Sequence, residues 1–457
     1  MHSREAYVRP TAPFVPLLAK ELREVTAGRA LWTMLLLVCP LVGYSFVQAV
    51  SLYSESSATA LQSPVLARSL SPLDGILVPT FGAFYVAVTL LFPFVAIRVL
   101  GQEKESGALR LLVQLPYRTS TLIAAKFCAV VAAWLMVSIP ALSALALWAI
   151  LGGHLAAPET LNLLFGHLLY GLLAGAIGLL AAAISDNSAT AAIIALAVTI
   201  GSWVLDFTLA GRSGLSAWLA QMSLTQTLRP FEQGLLSAGL VLGTTAVIGG
   251  LAALTIVWLP PGTLRRAKII RSACCVLMIL AGLGVATQLR ASVDLSKDRR
   301  NSFSPADERL LATLRRPLII RVALAVEDPR YIDLRRNVLA KLERAVPDVT
   351  VILASERPAA ANPSDDYGQI EYRYDDRTDV SRSTSPREIL PLLYALAGAQ
   401  PPAPGAEEYP GYPLLVSADA TLLWFFGGLP LLIVLAWWRI RRLPPDKGLL
   451  AHQGVKP

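Results

Sequence analysis

Eight stretches of the chain contain no Asp, Glu, Lys or Arg, and this feature most constrains the fold. They are Ala30–Ser54, Leu77–Ile97, Phe127–Pro158, Thr160–Ser185, Asn187–Leu205, Gln233–Leu264, Ser272–Leu289 and Ala420–Trp438. Each can hold a helix of about 18 or more residues, which crosses about 30 Å of hydrocarbon. One such stretch could be a buried core helix, or at the N-terminus a signal peptide. Eight of them in a chain that is 54% hydrophobic and 16% charged predict a polytopic α-helical membrane protein with about eight transmembrane helices.

The charges are distributed unevenly along the chain. Residues 290–418 hold 18 of the 40 Lys and Arg residues and 19 of the 32 Asp and Glu residues. The remaining positive charge is concentrated in four short segments, at 20–29, 98–126, 265–271 and 439–442. All four lie on one side of the bilayer if each stretch spans once, and the positive-inside rule makes that side cytoplasmic. The pattern therefore predicts that both termini are cytoplasmic and that residues 290–418 lie outside, and it needs no nucleic-acid partner.

These features divide the chain into six parts. We predict a cytoplasmic amphipathic segment at 1–30, a six-span domain at 31–262, a seventh transmembrane helix at 272–289, an extracytoplasmic domain at 290–418, an eighth transmembrane helix at 419–438 and a cytoplasmic tail at 439–457.

Residues 290–418 show the pattern of a small α/β domain. Ser304 precedes Pro305 and an acidic first turn, which is typical of a helix start. Two apolar, β-branched segments, 317–326 and 349–355, flank an amphipathic helix with Leu334, Val338, Leu342 and Ala345 on one face. This order predicts a β-α-β unit with a parallel sheet, and "QIEYRYDD" is a candidate third strand. The segment 398–413, rich in Pro and Gly, is predicted to be an extended linker.

Residue types that carry catalysis or bind metals form no recognisable group. The chain has no G-x-x-x-x-G-K-[ST] motif, its four cysteines lie in or beside apolar stretches, and His154 and His167 are isolated. We therefore predict no catalytic residue, no metal site and no cofactor in this chain. The transmembrane stretches contain no series of Asp, Glu or His typical of a proton relay. Gly171, Gly175 and Gly178 form a small-residue face that favours close helix packing.

Two segments resemble the permease family of type-2 ABC exporters. These are "KELREVTAGRALW" before the first transmembrane stretch and "GQEKESGALRLLVQLPYRTSTLIAAKF" after the second. The family pattern in the second segment reads roughly E-x-E-x-G-[ST]-L-E-x-L-L-x-x-P. The matching residues are Glu103, Glu105, Gly107, Leu109, Leu112, Pro116 and Lys126. Ala108 and Arg110 depart from the pattern, and the resemblance covers residues 14–262, six spans in all.

The resemblance implies a site that couples the membrane helices to a separate ATPase subunit. It places this site in the cytoplasmic loop 99–121 and in the amphipathic helix with Lys20, Glu21 and Arg23. It also implies a homo- or heterodimer of permease subunits, and ATP bound and hydrolysed only by the partner chain. From the residues themselves we expect Glu103, Lys104 and Glu105 to supply charges that pair with the partner, and Leu109, Leu112 and Val113 to anchor the segment. We expect Glu103 and Glu105 to be solvated at the membrane–water boundary. The alternative is an ordinary interfacial helix.

A second resemblance covers the region after the sixth span. "VDLSKDRRNSFS" is similar to the start of the auxiliary component of gliding-motility-type ABC systems, with the pattern D-[LT]-[ST]-x5–6-[SY]-[FL]-S. The matching residues are Asp294, Leu295, Ser296, Ser302, Phe303 and Ser304. The family's external region is usually much longer than the one here.

Together the two resemblances predict a fusion that serves as the membrane permease subunit of an ATP-driven transporter, an exporter, in a bacterial inner membrane. The alternatives are a non-transporting membrane scaffold that passes ATPase motion to an envelope machine, a secondary transporter, and an intramembrane enzyme. The sequence does not indicate the substrate.

Overall fold

The computed structural model describes residues 14–114, 118–209, 223–260, 262–289, 291–325, 328–353, 367–402 and 409–442. Eight helices in these residues are long and apolar enough to cross a membrane. They are α2 (Arg29–Ala60), α3 (Leu73–Glu105), α5 (Thr119–Ile150), α6 (Ala157–Ile184), α7 (Ser188–Leu209), α8 (Ala238–Trp258), α9 (Arg265–Gln288) and α13 (Thr421–Arg442). The predicted fold class, a polytopic helical membrane protein with a small α/β part, is confirmed.

Shorter helices connect the long ones. The amphipathic α1 (Phe14–Ala27) precedes α2, and α4 (Ala108–Gln114) follows α3. Short helical turns at Pro64–Ala67, Leu224–Thr227 and Arg229–Glu232 lie in the connections. The seventh long helix begins at Arg265, so its first two turns include the basic segment before the uncharged stretch.

Four of the long helices form the centre of the bundle. In α2, α3, α5 and α6, between 56% and 72% of the most apolar window is buried, whereas in the other four the share is 11–22%. α3 packs against both α2 and α6, and α8 pairs with α9. The outer helices expose apolar faces. These faces fit a hydrocarbon environment, because lipid tails are as apolar as the side chains themselves.

The predicted glycine face of α6 lies inside this centre. A Cβ atom at Gly171 would come within 2.1 Å of the Trp134 ring, and one at Gly175 within 2.6 Å of Val130, both on α5. A Cβ at Gly178 would lie 2.9 Å from the Pro93 carbonyl oxygen on α3. The three glycines therefore let α6 approach two helices at once.

The α/β domain contains one four-stranded sheet. Its strands are β3 (Leu318–Val322), β4 (Val349–Leu353), β5 (Ile370–Tyr374) and β6 (Arg377–Ser381), in the order β4-β3-β5-β6. β3 and β4 are parallel, with Leu318 opposite Val349, as the β-α-β pattern predicts. The sheet is nevertheless mixed and not parallel throughout, because β5 is antiparallel to β3 and β6 is antiparallel to β5.

Helices α10 (Pro305–Leu311), α11 (329–345) and α12 (Pro386–Ala397) complete the domain. The Ser304 hydroxyl accepts a hydrogen bond from the Asp307 amide, which confirms the predicted helix start. Leu334, Val338 and Leu342 are fully buried against the sheet, as predicted, and Ala345 packs beside them. β6 and α12 were not predicted from the sequence; β6 is almost wholly exposed and has no apolar alternation.

The α/β domain is attached to one end of the bundle, which we call the domain end. Strand β1 (Leu235–Ser237), just before α8, pairs antiparallel with β2 (Ser292–Asp294), just after α9. The Arg300 guanidinium binds the Asp74 carboxylate at the start of α3, and the Lys297 amide donates to Glu159 at the start of α6 over 3.0 Å. The domain is thus bonded to two central helices.

Residues 409–416, which we call the strap, lie across the same end of the bundle before α13 begins. The Tyr53 hydroxyl on α2 donates to the Tyr412 carbonyl over 2.7 Å, and His154 stacks on the Tyr412 ring with 3.7 Å between ring centroids. At Gly411, with φ +71°, a Cβ would lie 1.7 Å from the Ala67 carbonyl oxygen, so only glycine fits. Residues 409–413 of the predicted linker are therefore packed on the bundle.

Candidate functional site

A cluster of buried charges lies at the opposite end of the bundle, which we call the α1 end. It consists of Glu21 on α1, Glu103 near the end of α3, Lys126 in the second turn of α5, and the flanking Lys20. Glu21 is 1% exposed, Glu103 4% and Lys126 0%. α1 packs along α5 and also contacts α3, which brings the four side chains together. Charges are buried in this way only when they are paired.

Lys126 is the centre of this charge cluster. Its ammonium donates to both carboxylate oxygens of Glu21, over 3.0 and 2.9 Å, and to the Val99 carbonyl over 2.8 Å. A lysine has three N–H donors, so these bonds use all of them. Glu103 Oε2 lies 2.7 Å from the same ammonium but receives no hydrogen bond from it. The contact between Glu103 and Lys126 is therefore an ion pair without a hydrogen bond.

Lys20 supplies the second positive charge. It binds Glu103 Oε1 and lies 3.3 Å from Glu21 and 3.2 Å from the exposed Glu24. Burial opposes the charge on Lys20, but Glu103, Glu21 and Glu24 outweigh it and raise its pKa. Burial raises the pKa of the Glu21 carboxyl, and the Lys126 ammonium opposes that rise. Two carboxylates and two ammonium groups thus balance one another.

The same carboxylates form a group with the spacing of a metal site. Ligand atoms of Glu21, Glu24 and Glu103 lie within 4.8 Å of one another. The ammonium groups of Lys20 and Lys126 already contact these oxygens, and a cation would have to displace them. In the described residues this group is therefore an ion-pair network.

The next two residues of α3 bind the ends of neighbouring helices. The Lys104 ammonium donates to the carbonyls of Ala183, over 3.1 Å, and of Ser185 at the C-terminus of α6. The Glu105 carboxylate accepts the Ser188 amide of α7 over 2.9 Å. A cation at a helix C-terminus and an anion at a helix N-terminus both complement the helix dipole. The end of α3 is therefore connected to α6 and α7 as well as to α1 and α5.

Gly107 separates α3 from α4. Its φ is +77°, and its amide donates to the Lys104 carbonyl, as in a glycine that ends a helix. A Cβ there would meet nothing within 4 Å of the described chain. The left-handed backbone therefore explains the glycine, and close packing does not. After this turn, Leu109 is buried in the bundle core, and Leu112 lies beside Leu17 and Leu122.

The expectation that Glu103 is solvated is wrong. Glu103 is buried because Lys126 and Lys20 neutralise it, and Lys104 is half-buried because it binds the end of α6. Glu105 and Arg23 are exposed, and Pro116 lies outside the described residues. Lys126 matched the family pattern in the sequence, but no role was predicted for it. A lysine at the start of an uncharged stretch was the signal that could have indicated one.

The residues of the second motif stabilise the first loop of the α/β domain. The Asp294 carboxylate accepts hydrogen bonds from the Ser296 and Asn301 amides and from the Ser302 hydroxyl, over 3.0, 2.9 and 2.7 Å. Burial favours the neutral acid, but these donors outweigh it and lower the pKa of Asp294. The motif therefore has a structural role: it folds 294–304 and positions the Ser304 helix cap.

Comparison with known proteins bears on this end of the molecule. Residues 15–233 match the model of the ABC-2 family transporter protein. The matched part contains α1 to α7, and with them every residue of the charge cluster, so this part is similar to the membrane subunit of an ABC transporter. No curated protein sequence matches the chain. The match does not reach the α/β domain, whose resemblance to the gliding-motility component stays a prediction.

Proposed function

We propose that this protein is the membrane permease subunit of an ATP-driven ABC exporter, and that a separate ATPase subunit binds the surface formed by loop 99–121 and α1. The observation that carries the proposal is the charge cluster within the ABC-2 match. It bonds α1 to α3 and α5 beside the exposed segment α4.

These contacts suit the transmission of motion. A push on α1 or α4 moves Glu21 or Glu103, and both carboxylates contact Lys126 of α5. Lys104 and Glu105 extend the connection to α6 and α7. The contacts are short and largely out of water, so they resist separation more than solvated pairs do. Motion of the partner would therefore reach four membrane helices, α3, α5, α6 and α7, through one junction.

The proposal includes an orientation and an assembly. The four basic segments favour a cytoplasmic α1 end, which is the side where ATP is available, and an extracytoplasmic α/β domain in the inner membrane of a bacterium. We propose that two permease subunits, identical or different, work together with the ATPase. ATP binds the partner chain, and this chain contributes no catalytic residue.

A negative charge introduced on the exposed face of α4 tests the partner site. Leu111 is 68% exposed, and no described residue covers it. Leu111→Glu should leave the fold intact, because exposed positions usually change stability by about 0.5 kcal/mol or less. If Leu111 contacts the ATPase, the substitution should weaken association by about 30-fold, the effect of losing an interface hot spot. The measurement is the amount of ATPase that copurifies with the tagged chain.

Leu61→Glu is the matched control. Leu61 is 57% exposed and lies just after α2, at the domain end. It should reach the membrane and retain the ATPase like the unchanged protein. Full ATPase association in Leu111→Glu would contradict a partner site on α4.

A further inference from the structure

An open cavity of about 980 Å³ lies between the α/β domain and the strap. Its walls come from the loop 297–303, from α10, α11 and α12, and from the strap residues Tyr409 and Tyr412. The Tyr409 hydroxyl donates to the Leu70 carbonyl in the connection between α2 and α3. The cavity therefore opens beside the domain end of the membrane bundle.

The charges around this cavity are unbalanced. Lys297, Arg299, Lys341 and Arg387 line it, and in the part of the chain that the structure describes none of them forms an ion pair. The two lining carboxylates are already engaged. Asp298 is bound by the Arg300 guanidinium over 2.8 and 3.0 Å, and Asp307 accepts from the Tyr394 and Ser304 hydroxyls over 2.5 and 2.6 Å. Only Asp298 is paired with a cation, so the four lining cations face Asp307 as the one carboxylate without a cationic partner among the contacts above, and the cavity keeps an excess of positive charge.

Arg299 is held in an unusual backbone conformation at the cavity wall. Its φ is +50°, in the left-handed region that favours glycine. The chain nevertheless has an arginine there, and its side chain lines both this cavity and a neighbouring one of about 520 Å³. Strained backbone at a cavity is typical of residues that serve a ligand site.

Lys341 is half-buried at the base of the cavity. Its ammonium donates to the Ser302 carbonyl over 3.2 Å and lies 5.6 Å from the centre of the Phe303 ring. Burial lowers the pKa of Lys341, and the nearby carboxylates only partly oppose this. An anion in the cavity would restore the favourable environment for its charge. The first turn of α12, with Arg387, also faces the cavity, and a helix N-terminus favours negative charge.

We propose that this cavity binds a phosphate ester that carries an apolar or sugar body. Four cations exceed what one carboxylate requires, and arginine fits phosphate oxygens with two parallel hydrogen bonds. The remaining wall is aromatic and proline-rich, with Phe303, Tyr394 and Tyr409 among its residues, and suits a non-ionic body. The phosphate belongs either to a lipid headgroup of the adjacent leaflet or to a soluble ester.

Titration calorimetry on the full chain in phosphatidylcholine nanodiscs separates the two sources. Glycerol 1-phosphate is the soluble probe, dihexanoyl phosphatidic acid is the lipid probe, and dihexanoyl phosphatidylcholine is the zwitterionic control. We expect saturable binding of at least one anionic probe and none of the control. Binding of phosphatidic acid alone would indicate a lipid headgroup, and equal binding of glycerol phosphate a soluble ester. Absence of saturable binding by both anionic probes would overturn the proposal.

Single substitutions then locate the site. Lys341→Met and Arg387→Met should each weaken probe binding about tenfold, because each removes a charge-assisted hydrogen bond. Arg387 is exposed, so its loss should spare the fold. Arg336→Met, an exposed arginine on α11 away from the cavity, is the control and should bind normally. Unchanged binding by both cavity variants would overturn the proposal.

One variant tests whether the chain itself supplies the anion. Glu407 and Glu408 lie in the sequence between the lining residues Pro402 and Tyr409. Glu407→Gln/Glu408→Gln should bind the probe like the unchanged protein. If this variant binds the probe and the unchanged protein does not, the chain's own carboxylates are the ligand of the cavity. That result would overturn the proposal.

Discussion

At the residue scale, the charge cluster makes Lys126 the side chain on which the α1 end most depends. It is fully buried and contacts two carboxylates from two other helices. Lys126→Met would leave Glu21 and Glu103 facing each other with Lys20 as their remaining cation. Breaking a buried pair in this way costs about 3–5 kcal/mol. We expect a loss of that size in the free energy of unfolding, measured by denaturant unfolding in detergent micelles.

Two further variants test whether the effect of Lys126→Met comes from the loss of its charge. Lys126→Met combined with Glu21→Gln and Glu103→Gln should recover much of the loss, because no unpaired charge is left. Glu24→Gln removes a carboxylate that is 48% exposed and should change stability by about 0.5 kcal/mol or less. Equal losses in Lys126→Met and Glu24→Gln would contradict the buried pairing.

At the scale of single elements, the close approach of α6 to α3 depends on the lack of a side chain at Gly178. A Cβ there would lie 2.9 Å from the Pro93 carbonyl oxygen and 2.9 Å from the Ala96 Cβ. Gly178→Ala should therefore push the helices apart at a cost of about 1–3 kcal/mol, seen as a lower melting temperature. Gly249→Ala on α8 meets nothing within 4 Å and should melt like the unchanged protein. Similar melting of both variants would show that the α3–α6 contact is loose.

At the scale of the whole molecule, the charge cluster and the α/β domain lie at opposite ends of the bundle. The 32 residues of α2 span the distance between them, about 48 Å at 1.5 Å per residue. Ser106→Cys and Asp379→Cys place thiols at exposed positions at these two ends, in a background with the four native cysteines replaced by alanine. An impermeant maleimide should label Asp379→Cys in intact cells and Ser106→Cys only after permeabilisation. The reverse pattern would invert the proposed topology.

Some of this architecture was predictable from the sequence because it depends on local composition. An uncharged apolar stretch of sufficient length has few stable states outside a membrane helix, so the eight spans follow from hydrophobicity alone. The cap at Ser304 and the buried face of α11 are set by residues three or four positions apart, which a sequence shows directly. The candidate third strand, "QIEYRYDD", likewise corresponds to an observed strand, β5.

Other features arise from contacts between distant parts of the chain, and only the tertiary structure decides them. Glu103 and Glu105 look alike in sequence, yet one is buried and the other exposed, since the partners of Glu103 come from α1 and α5. The direction of β5, the exposed strand β6 and the packing of the strap on α2 likewise depend on neighbours far along the chain. A charged side chain near the end of a helix is stable either in water or against an opposite charge, and its own segment does not contain the information that selects between them.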